Sequence, residues 1–331
     1  MGFIVCKMEP RGPLHLGIKE TILEETSDHI HSDTLFSAIC NAHRLLYGNE
    51  ELEKLLQQFK GKTPPFLISS AFPYINETLL LPVPKSVDFG EYSEDKKRFK
   101  KVRFVSKDIF DQIVRGETVK ESVKEGNLLQ SGQILLTSGE KSRIEDTRIW
   151  SEEEIPRVVI DRKTSASNIY HFGQVMYSER CGMYFLIDSR DGEYVERLKA
   201  AMRLLGDEGM GGDRTYGKGL FKIKKPEFDT VSMDLTPRGH FTTLSLYHPT
   251  KEEIPILKNG RYELVGRGGW IYSLEGRNMR RRFIRMFAEG SVFPAPADLY
   301  GDLVSVKPKE FTDHEIYRYG YAFAIPLEVK G

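Results

Sequence analysis

Long apolar segments are missing from this sequence of 331 residues. No stretch approaches the roughly 20 consecutive apolar residues that a helix needs to cross a bilayer. The first ten residues, MGFIVCKMEP, also lack the basic region and longer apolar region that mark a secretory signal. We therefore expect no contact with membranes and a cytoplasmic location.

Cysteine is scarce as well. The chain has three, Cys6, Cys40 and Cys181, and they lie far apart. This spacing shows neither a C-x-x-C metal pair nor a disulfide framework. We expect no metal site and no cofactor.

The chain also has no net charge, because 48 Lys and Arg balance 48 Asp and Glu. This balance argues against a surface that binds nucleic acid everywhere, but local basic patches are sufficient for phosphate contacts. Residues 94–107 carry seven Lys or Arg against two acids, and residues 276–285 carry five Arg and no acid. Each run can equally be a solvated face.

The order of predicted elements favours an α+β fold. A strand over 3–8 precedes a helix that Ser32 or Asp33 can cap, and a second amphipathic helix around 194–205 precedes the strand 220–224. With extended segments between them, the order becomes β-α-β-β-α-β, the split unit of ferredoxin-like and RRM-like domains. Pro226 marks a boundary between domains 1–225 and 226–331, the second a degenerate unit of the same kind. The charged segment 84–155 is interpreted as a hairpin-bearing insertion outside the core.

A glycine-rich loop, GGDRTYGKG, occupies residues 211–219. Glycines let the backbone approach a ligand, and successive N–H groups in such a loop can bind an anion. The candidate phosphate-binding residues are Gly211, Gly212, Arg214, Gly217, Lys218 and Gly219. A tight turn is the alternative. The G-x-x-x-x-G-K spacing resembles a nucleotide-binding P-loop, but Gly219 replaces the required Ser or Thr and the strand follows the loop instead of preceding it.

Two further segments suit RNA. Ser32 lies at a predicted helix N-terminus, where phosphates can bind, although capping alone explains it and Asp33 would repel a phosphate. Residues 160–173, IDRKTSASNIYHFG, mix cations, amides and rings in the manner of single-strand binders, or form a polar edge loop. The candidates there are Arg162, Lys163, Thr164, Ser165 and His171.

Four segments together resemble the RAMP superfamily of CRISPR proteins, and more narrowly the type III-A (Csm) subunit that caps the backbone filament and holds the 5′ handle of the crRNA. They are residues 25–48, 158–179, 211–221 and 268–293, in this order and spacing. The resemblance covers essentially the whole chain and is weakest in 84–155.

The resemblance implies two ferredoxin-like domains with a β-hairpin thumb, here 84–155, that separates handle from spacer. It implies a non-catalytic subunit whose RNA-contacting loops are 162–171 and 211–219. It also implies two neighbours, the large polymerase-like subunit and the repeating backbone RAMP subunit. Arg280, Arg281 and Arg282 would face either the RNA or the large subunit.

Three other functions remain open from the sequence. A related branch of the superfamily cuts precursor crRNA without metal by histidine acid–base chemistry, for which His15 and His31 are candidates. A metal-dependent nuclease would use an Asp near the first helix, and Asp28 and Asp33 lie there. A purely structural adaptor would touch only protein.

Overall fold

The computed structural model describes residues 2–19, 22–92, 96–145, 148–272, 279–295 and 300–329. Its α-helices are α1 (Ser32–Tyr47), α2 (Asn49–Lys60), α3 (Lys96–Phe99), α4 (Lys107–Val114), α5 (Ser138–Lys141) and α6 (Gly192–Glu208). Its first strands are β1 (Gly2–Pro10), β2 (Gly17–Lys19), β3 (Ile22–Thr26), β4 (Phe66–Ile68), β5 (Phe72–Ile75), β6 (Thr78–Pro82), β7 (Phe104–Ser106), β8 (Leu128–Leu129), β9 (Ile134–Leu135), β10 (Trp150–Ile160), β11 (Ser167–Tyr177) and β12 (Cys181–Ser189). The later strands are β13 (Phe221–Ile223), β14 (Asp229–Ser232), β15 (His240–Thr243), β16 (Leu264–Arg267), β17 (Ile284–Phe287), β18 (Val292–Pro294), β19 (Leu303–Ser305), β20 (Tyr317–Tyr319) and β21 (Ala324–Leu327).

Strand β1 lies inside the largest sheet, whose order is β13-β1-β12-β5-β6-β7-β9-β8, with β14 also on β1 and β4 also on β12. Val5 and Cys6 point to opposite faces of β1, and both are buried. Helices α1 and α6 pack against each other. The α+β class and the central position of the first strand are therefore confirmed. None of the helices in the described ranges is long and apolar enough to span a membrane.

The core is continuous from the N-terminal to the C-terminal part of the chain. The ring of Tyr319 lies 5.0 Å from that of Phe36, and the ring of Tyr321 lies 5.9 Å from that of Phe59. In the C-terminal part, β15 pairs with β18 and β21, while β16 pairs with β17 and β19 with β20. The predicted division at Pro226 stays a prediction.

The charged segment 84–155 differs from the expectation of an insertion outside the core. Strands β7, β9 and β8 continue the main sheet beyond β6. Phe99, Phe104, Phe110 and Leu135 are all buried in the main core. The expectation was wrong because the apolar residues that enter the core occur in short groups, and the many charged residues between them give the segment the composition of a surface insertion. The long hairpin is instead β10–β11, with eleven paired positions from Trp150–Tyr177 to Ile160–Ser167.

A buried ion cluster joins the start of α1 to the C-terminal part. The Asp33 carboxylate accepts hydrogen bonds from Arg267 at 2.9 and 2.8 Å and from Arg318. Burial alone favours the neutral acid, yet the two guanidinium groups hold the pKa of Asp33 well below its usual range. The carboxylate is therefore charged and fully engaged within the protein.

Replacing Asp33 by Asn should leave two buried guanidinium groups without their counter-charge. We expect Asp33→Asn to lower the free energy of unfolding by about 3–5 kcal/mol, the usual effect of breaking a buried ion pair. Urea denaturation of the full chain measures it. The control, Asp207→Asn, alters a carboxylate that is 84% exposed and should change stability by less than about 0.5 kcal/mol. Equal unfolding midpoints for both variants would contradict the expectation.

Candidate nucleic-acid interface

The turn that joins β10 to β11 carries the first set of predicted RNA contacts. Asp161 builds this turn, because its Oδ1 accepts the N–H groups of Lys163 at 2.7 Å and Thr164 at 3.2 Å. Its carbonyl oxygen accepts the N–H of Ser165 at 2.8 Å. The predicted residues here are all exposed: Arg162, Lys163, Thr164, Ser165 and, on β11, His171. We call residues 158–169 the hairpin tip.

Apolar side chains flank these cations. Val158, Val159, Ile160 and Ile169 are between 54% and 64% exposed. Their exposure was not predictable from the sequence, because a run of β-branched residues is also typical of a buried strand. Val158, Ile160 and Ile169 share one face of the hairpin, because Val158 pairs with Ile169 and residues two apart point the same way. This face is a candidate contact for a partner.

The glycine-rich loop follows α6 and packs on the segment after β1. Gly212 donates its N–H to the carbonyl of His15 at 2.9 Å, and Gly219 donates to that of Pro13 at 2.9 Å. A Cβ at Gly211 or Gly219, with φ of 93° and 77°, would collide with a neighbouring carbonyl oxygen. These glycines serve chain packing. The N–H of Gly217 also donates within the protein, to the carbonyl of Arg214. The N–H groups of Gly212, Gly217 and Gly219 are therefore all engaged, and the predicted anion nest is wrong for these three residues.

The hairpin and the glycine-rich loop meet at a shared cluster. The Arg157 guanidinium lies between two rings, 4.3 Å from the centre of Phe172 and 5.0 Å from that of Tyr216. It also pairs with Asp213 at 2.6 Å. Lys218 lies 4.4 Å from the Phe172 ring and is buried, and burial lowers its pKa. Lys218 therefore supports the cluster instead of facing solvent as the sequence suggested.

Exposed rings backed by arginines continue from this cluster. Tyr216 is 74% exposed above Arg157. Arg214, whose side chain is partly exposed, lies 4.7 Å from the centre of the Tyr272 ring. Sequence reasoning missed both tyrosines, although an aromatic residue inside a glycine-rich loop was a usable signal for base stacking.

The arginine run 280–282 has mixed surroundings. Arg280 lies 5.2 Å from the exposed ring of Trp270. Arg281 is partly buried, and burial together with the nearby Arg318 lowers its pKa to about 10. Arg282 is exposed. Only part of this run is therefore accessible to a partner.

The predicted contacts at the start of α1 are taken up inside the protein. Ser32 is buried, its N–H donates to Ser70 at 2.8 Å, and its hydroxyl accepts the N–H of Leu246 at 3.0 Å. The N-cap is His31, without a side-chain cap, so the expected capping by Ser32 or Asp33 is wrong. Ser32 bonds to partners that are distant in the chain instead of capping its own helix, and a local sequence pattern does not reveal such partners.

The remaining acid–base candidates are also engaged. His15 is 7% exposed, its Nδ1 lies 2.8 Å from the carbonyl oxygen of Gly173, and burial lowers its pKa. The carboxylate of Asp28 pairs with Arg103 at 2.6 Å. Burial opposes charge on Asp28, but His29 and Arg103 hold its pKa below the usual range.

One group of side chains in the described residues has the composition of a metal site. His29, His31 and Glu289 place one potential ligand atom each within 4.8 Å of the others. This group was not predictable from the sequence, because Glu289 is distant in the chain from His29 and His31. Here His29 bonds to Asp28 at 2.7 Å and His31 to Glu289 at 2.8 Å, so each imidazole has a protein partner.

Comparison with known proteins matches both parts of the chain. The family model described as RAMP superfamily matches residues 7–222, and the one described as CRISPR Csm4 C-terminal domain matches residues 236–327. The Csm4 protein of Thermococcus onnurineus (strain NA1) is 30% identical over 341 residues, covering 99% of this chain and 97% of the relative. That of Methanocaldococcus jannaschii is 28% identical, covering 100% and 98%.

Solved structures agree with this fold. A chain of the Csm3–Csm4 subcomplex in the type III-A CRISPR-Cas interference complex matches with a TM-score of 0.68 and 24% identity, covering 99% of this chain and 100% of that one. A chain of the Csm1–Csm4 cassette in complex with cA4 matches with a TM-score of 0.63 and 24% identity, covering 100% of both. The chain therefore belongs to the RAMP superfamily and, within it, to the Csm4 family.

Proposed function

We propose that this chain is a non-catalytic, crRNA-binding subunit of a type III-A CRISPR interference complex, and that it grips the 5′ repeat-derived handle. The observation that carries the proposal is the junction at Arg157. There the hairpin with its exposed cationic tip is held against the loop that exposes Tyr216. Cations for phosphates and a ring for base stacking, on one supported surface, are what single-stranded RNA requires.

The proposed architecture is two ferredoxin-like domains with a hairpin thumb. Supporting the first domain, β1 pairs antiparallel with β12 and β13, and β12 pairs antiparallel with β5. Helices α1 and α6 separate these strands along the chain, as the split unit requires. The second domain would follow residue 225. We assign the thumb's part, separation of handle from spacer, to the hairpin β10–β11.

The proposed RNA surface keeps the exposed candidates and leaves out the buried ones. Arg162, Lys163 and His171 would contact phosphates and sugars, with Thr164 and Ser165 beside them. Tyr216 would stack on a base, with Arg214 nearby. The loop 211–219 would position Tyr216 and Arg214, while Ser32 and Lys218 would act only through the fold.

The proposed neighbours are the large polymerase-like subunit and the repeating backbone RAMP subunit. Support comes from similar chains found in a Csm1–Csm4 cassette and in a Csm3–Csm4 subcomplex. The exposed Val158, Val159 and Ile160 offer apolar surface that a neighbour or an RNA base would cover. A cytoplasmic location is part of this proposal.

The alternative is a metal-independent endoribonuclease that processes precursor crRNA. A general acid or base must reach the substrate within hydrogen-bonding distance. His15 is buried against Gly173 and His31 is bonded to Glu289. These contacts support binding over cleavage.

Removing the two cations of the turn tests the proposal. We expect Arg162→Ala/Lys163→Ala to weaken binding of a handle-bearing crRNA and to flatten the log–log salt dependence by roughly 1.4, since each phosphate contact to a single strand contributes about 0.7. Filter binding at several salt concentrations measures this, and a denaturing gel should show intact RNA. The control removes two exposed lysines elsewhere, Lys251→Ala/Lys258→Ala.

Two results would count against it. Equal affinities and slopes for the turn variant and the lysine control would remove the hairpin tip from the RNA surface. Cutting of the RNA at one position by wild type would replace handle binding with the processing function.

The stacking role of Tyr216 has its own test. We expect Tyr216→Ala to lose about 1–3 kcal/mol of RNA-binding free energy, the usual contribution of one stacked base. Tyr216→Phe keeps the ring above Arg157 and should bind as wild type. Fluorescence titration with the same crRNA measures both. If the Phe variant lost as much as the Ala variant, stacking would not be the contact.

A further inference from the structure

The strongest run of positive charge lies outside the proposed handle surface. Residues 96–103, KKRFKKVR, hold six cations and no acid. They form α3 and the turn after it. Phe99 is 2% exposed and anchors the segment in the core, while Lys97, Arg98 and Lys101 are exposed.

These three cations converge on a pocket of about 470 Å³. Its other wall is the turn Gln130–Gly132, and we call the space between them the basic pocket. The volume falls within the range of about 300–1,000 Å³ that is usual for ligand sites. The pocket is an open depression, so a ligand can enter it directly from solvent.

The turn that closes the basic pocket has an uncommon backbone. Gln130, Ser131 and Gly132 follow one another at φ of 50°, 55° and 91°. Non-glycine residues hold such a conformation only where the surroundings impose it. Here the Gln130 side chain accepts the N–H of Ile149 at 2.8 Å and donates to the carbonyl of Trp150 at 2.8 Å. The wall is therefore fixed before any ligand arrives.

The charge of the basic pocket is incompletely balanced. Among the described residues that line it, Glu125 is the acidic one, and it pairs with Arg98 at 2.7 Å. Both side chains are about half exposed, at 58% and 49%, so the pair contributes little and exchanges readily. Lys97 and Lys101 leave two positive charges on the pocket.

We propose that the basic pocket binds phosphate groups of single-stranded RNA at a second position, separate from the hairpin tip. The cations match the phosphates, and the partly exposed Leu128 and the Ser131 hydroxyl suit a sugar or base edge. An acidic peptide is the alternative that the test below distinguishes. The proposal does not require the handle to be the ligand.

The test compares variants of the full chain with two labelled RNAs, a handle-bearing crRNA and an RNA of equal length without the handle. We expect Lys97→Ala/Lys101→Ala to weaken the binding of both RNAs to the same degree and to lower the slope of the log–log salt dependence by roughly 1.4. Lys97→Arg/Lys101→Arg should bind as wild type. The hairpin-tip variant Arg162→Ala/Lys163→Ala should weaken binding of the handle-bearing RNA more than binding of the RNA without the handle. Failure of one proposal is therefore distinguishable from failure of the other.

A variant of opposite sign strengthens the test. Glu125→Gln removes a negative charge from the lining of the basic pocket, and we expect tighter binding of both RNAs with a steeper salt slope.

Two outcomes would overturn the proposal. The first is binding by Lys97→Ala/Lys101→Ala that equals the Lys251→Ala/Lys258→Ala control. The second is binding of ATP or a poly-glutamate peptide that wild type shows and the Lys97→Ala/Lys101→Ala variant loses, while the affinity of that variant for both RNAs is unchanged, which would assign the pocket to a free nucleotide or to an acidic peptide.

Discussion

The contact on which the rest of the molecule depends is the buried carboxylate of Asp33 between Arg267 and Arg318. A charge without solvent must be paired, so any arrangement of α1 against the C-terminal part that separated these groups would cost several kcal/mol. Arg318 also donates to the carbonyl of Gly268, two residues before Trp270. The ion cluster therefore positions the segment that carries Trp270 and Tyr272 as well as the helix behind it.

The glycine-rich loop has a supporting part in this arrangement. Its glycines permit close approach of two chain segments, since Gly211 and Gly219 face carbonyl oxygens where a Cβ would collide. What reaches solvent are the side chains between them, Tyr216 above all. The buried Lys218 and the Arg157–Asp213 pair hold this loop to the hairpin. The candidate surface is thus a set of exposed groups standing on a closely packed base.

Part of this was predictable from the sequence. Helical spacing located α1 and α6, and alternation with apolar residues on both faces located β1 in the interior of the sheet. The prediction that 84–155 lies outside the core was wrong, since buried pairs such as Ile109 and Phe110 do not stand out among charged neighbours. Ser32 and Lys218 were mistaken for surface groups, because burial depends on distant partners such as Leu246 and Phe172. Local patterns carry no information on such partners.

The attachment of the hairpin has a geometric consequence. Arg157 clamps the hairpin to Asp213, and beyond it only three residue pairs remain, from Val158–Ile169 to Ile160–Ser167. At about 3.4 Å per residue this free end is roughly 10 Å long. An unsupported two-stranded ribbon of full length would be pliable, whereas such a short overhang is stiff. The turn 161–166 and Tyr216 are therefore held at a spacing that the protein itself sets, through the contacts of Arg157.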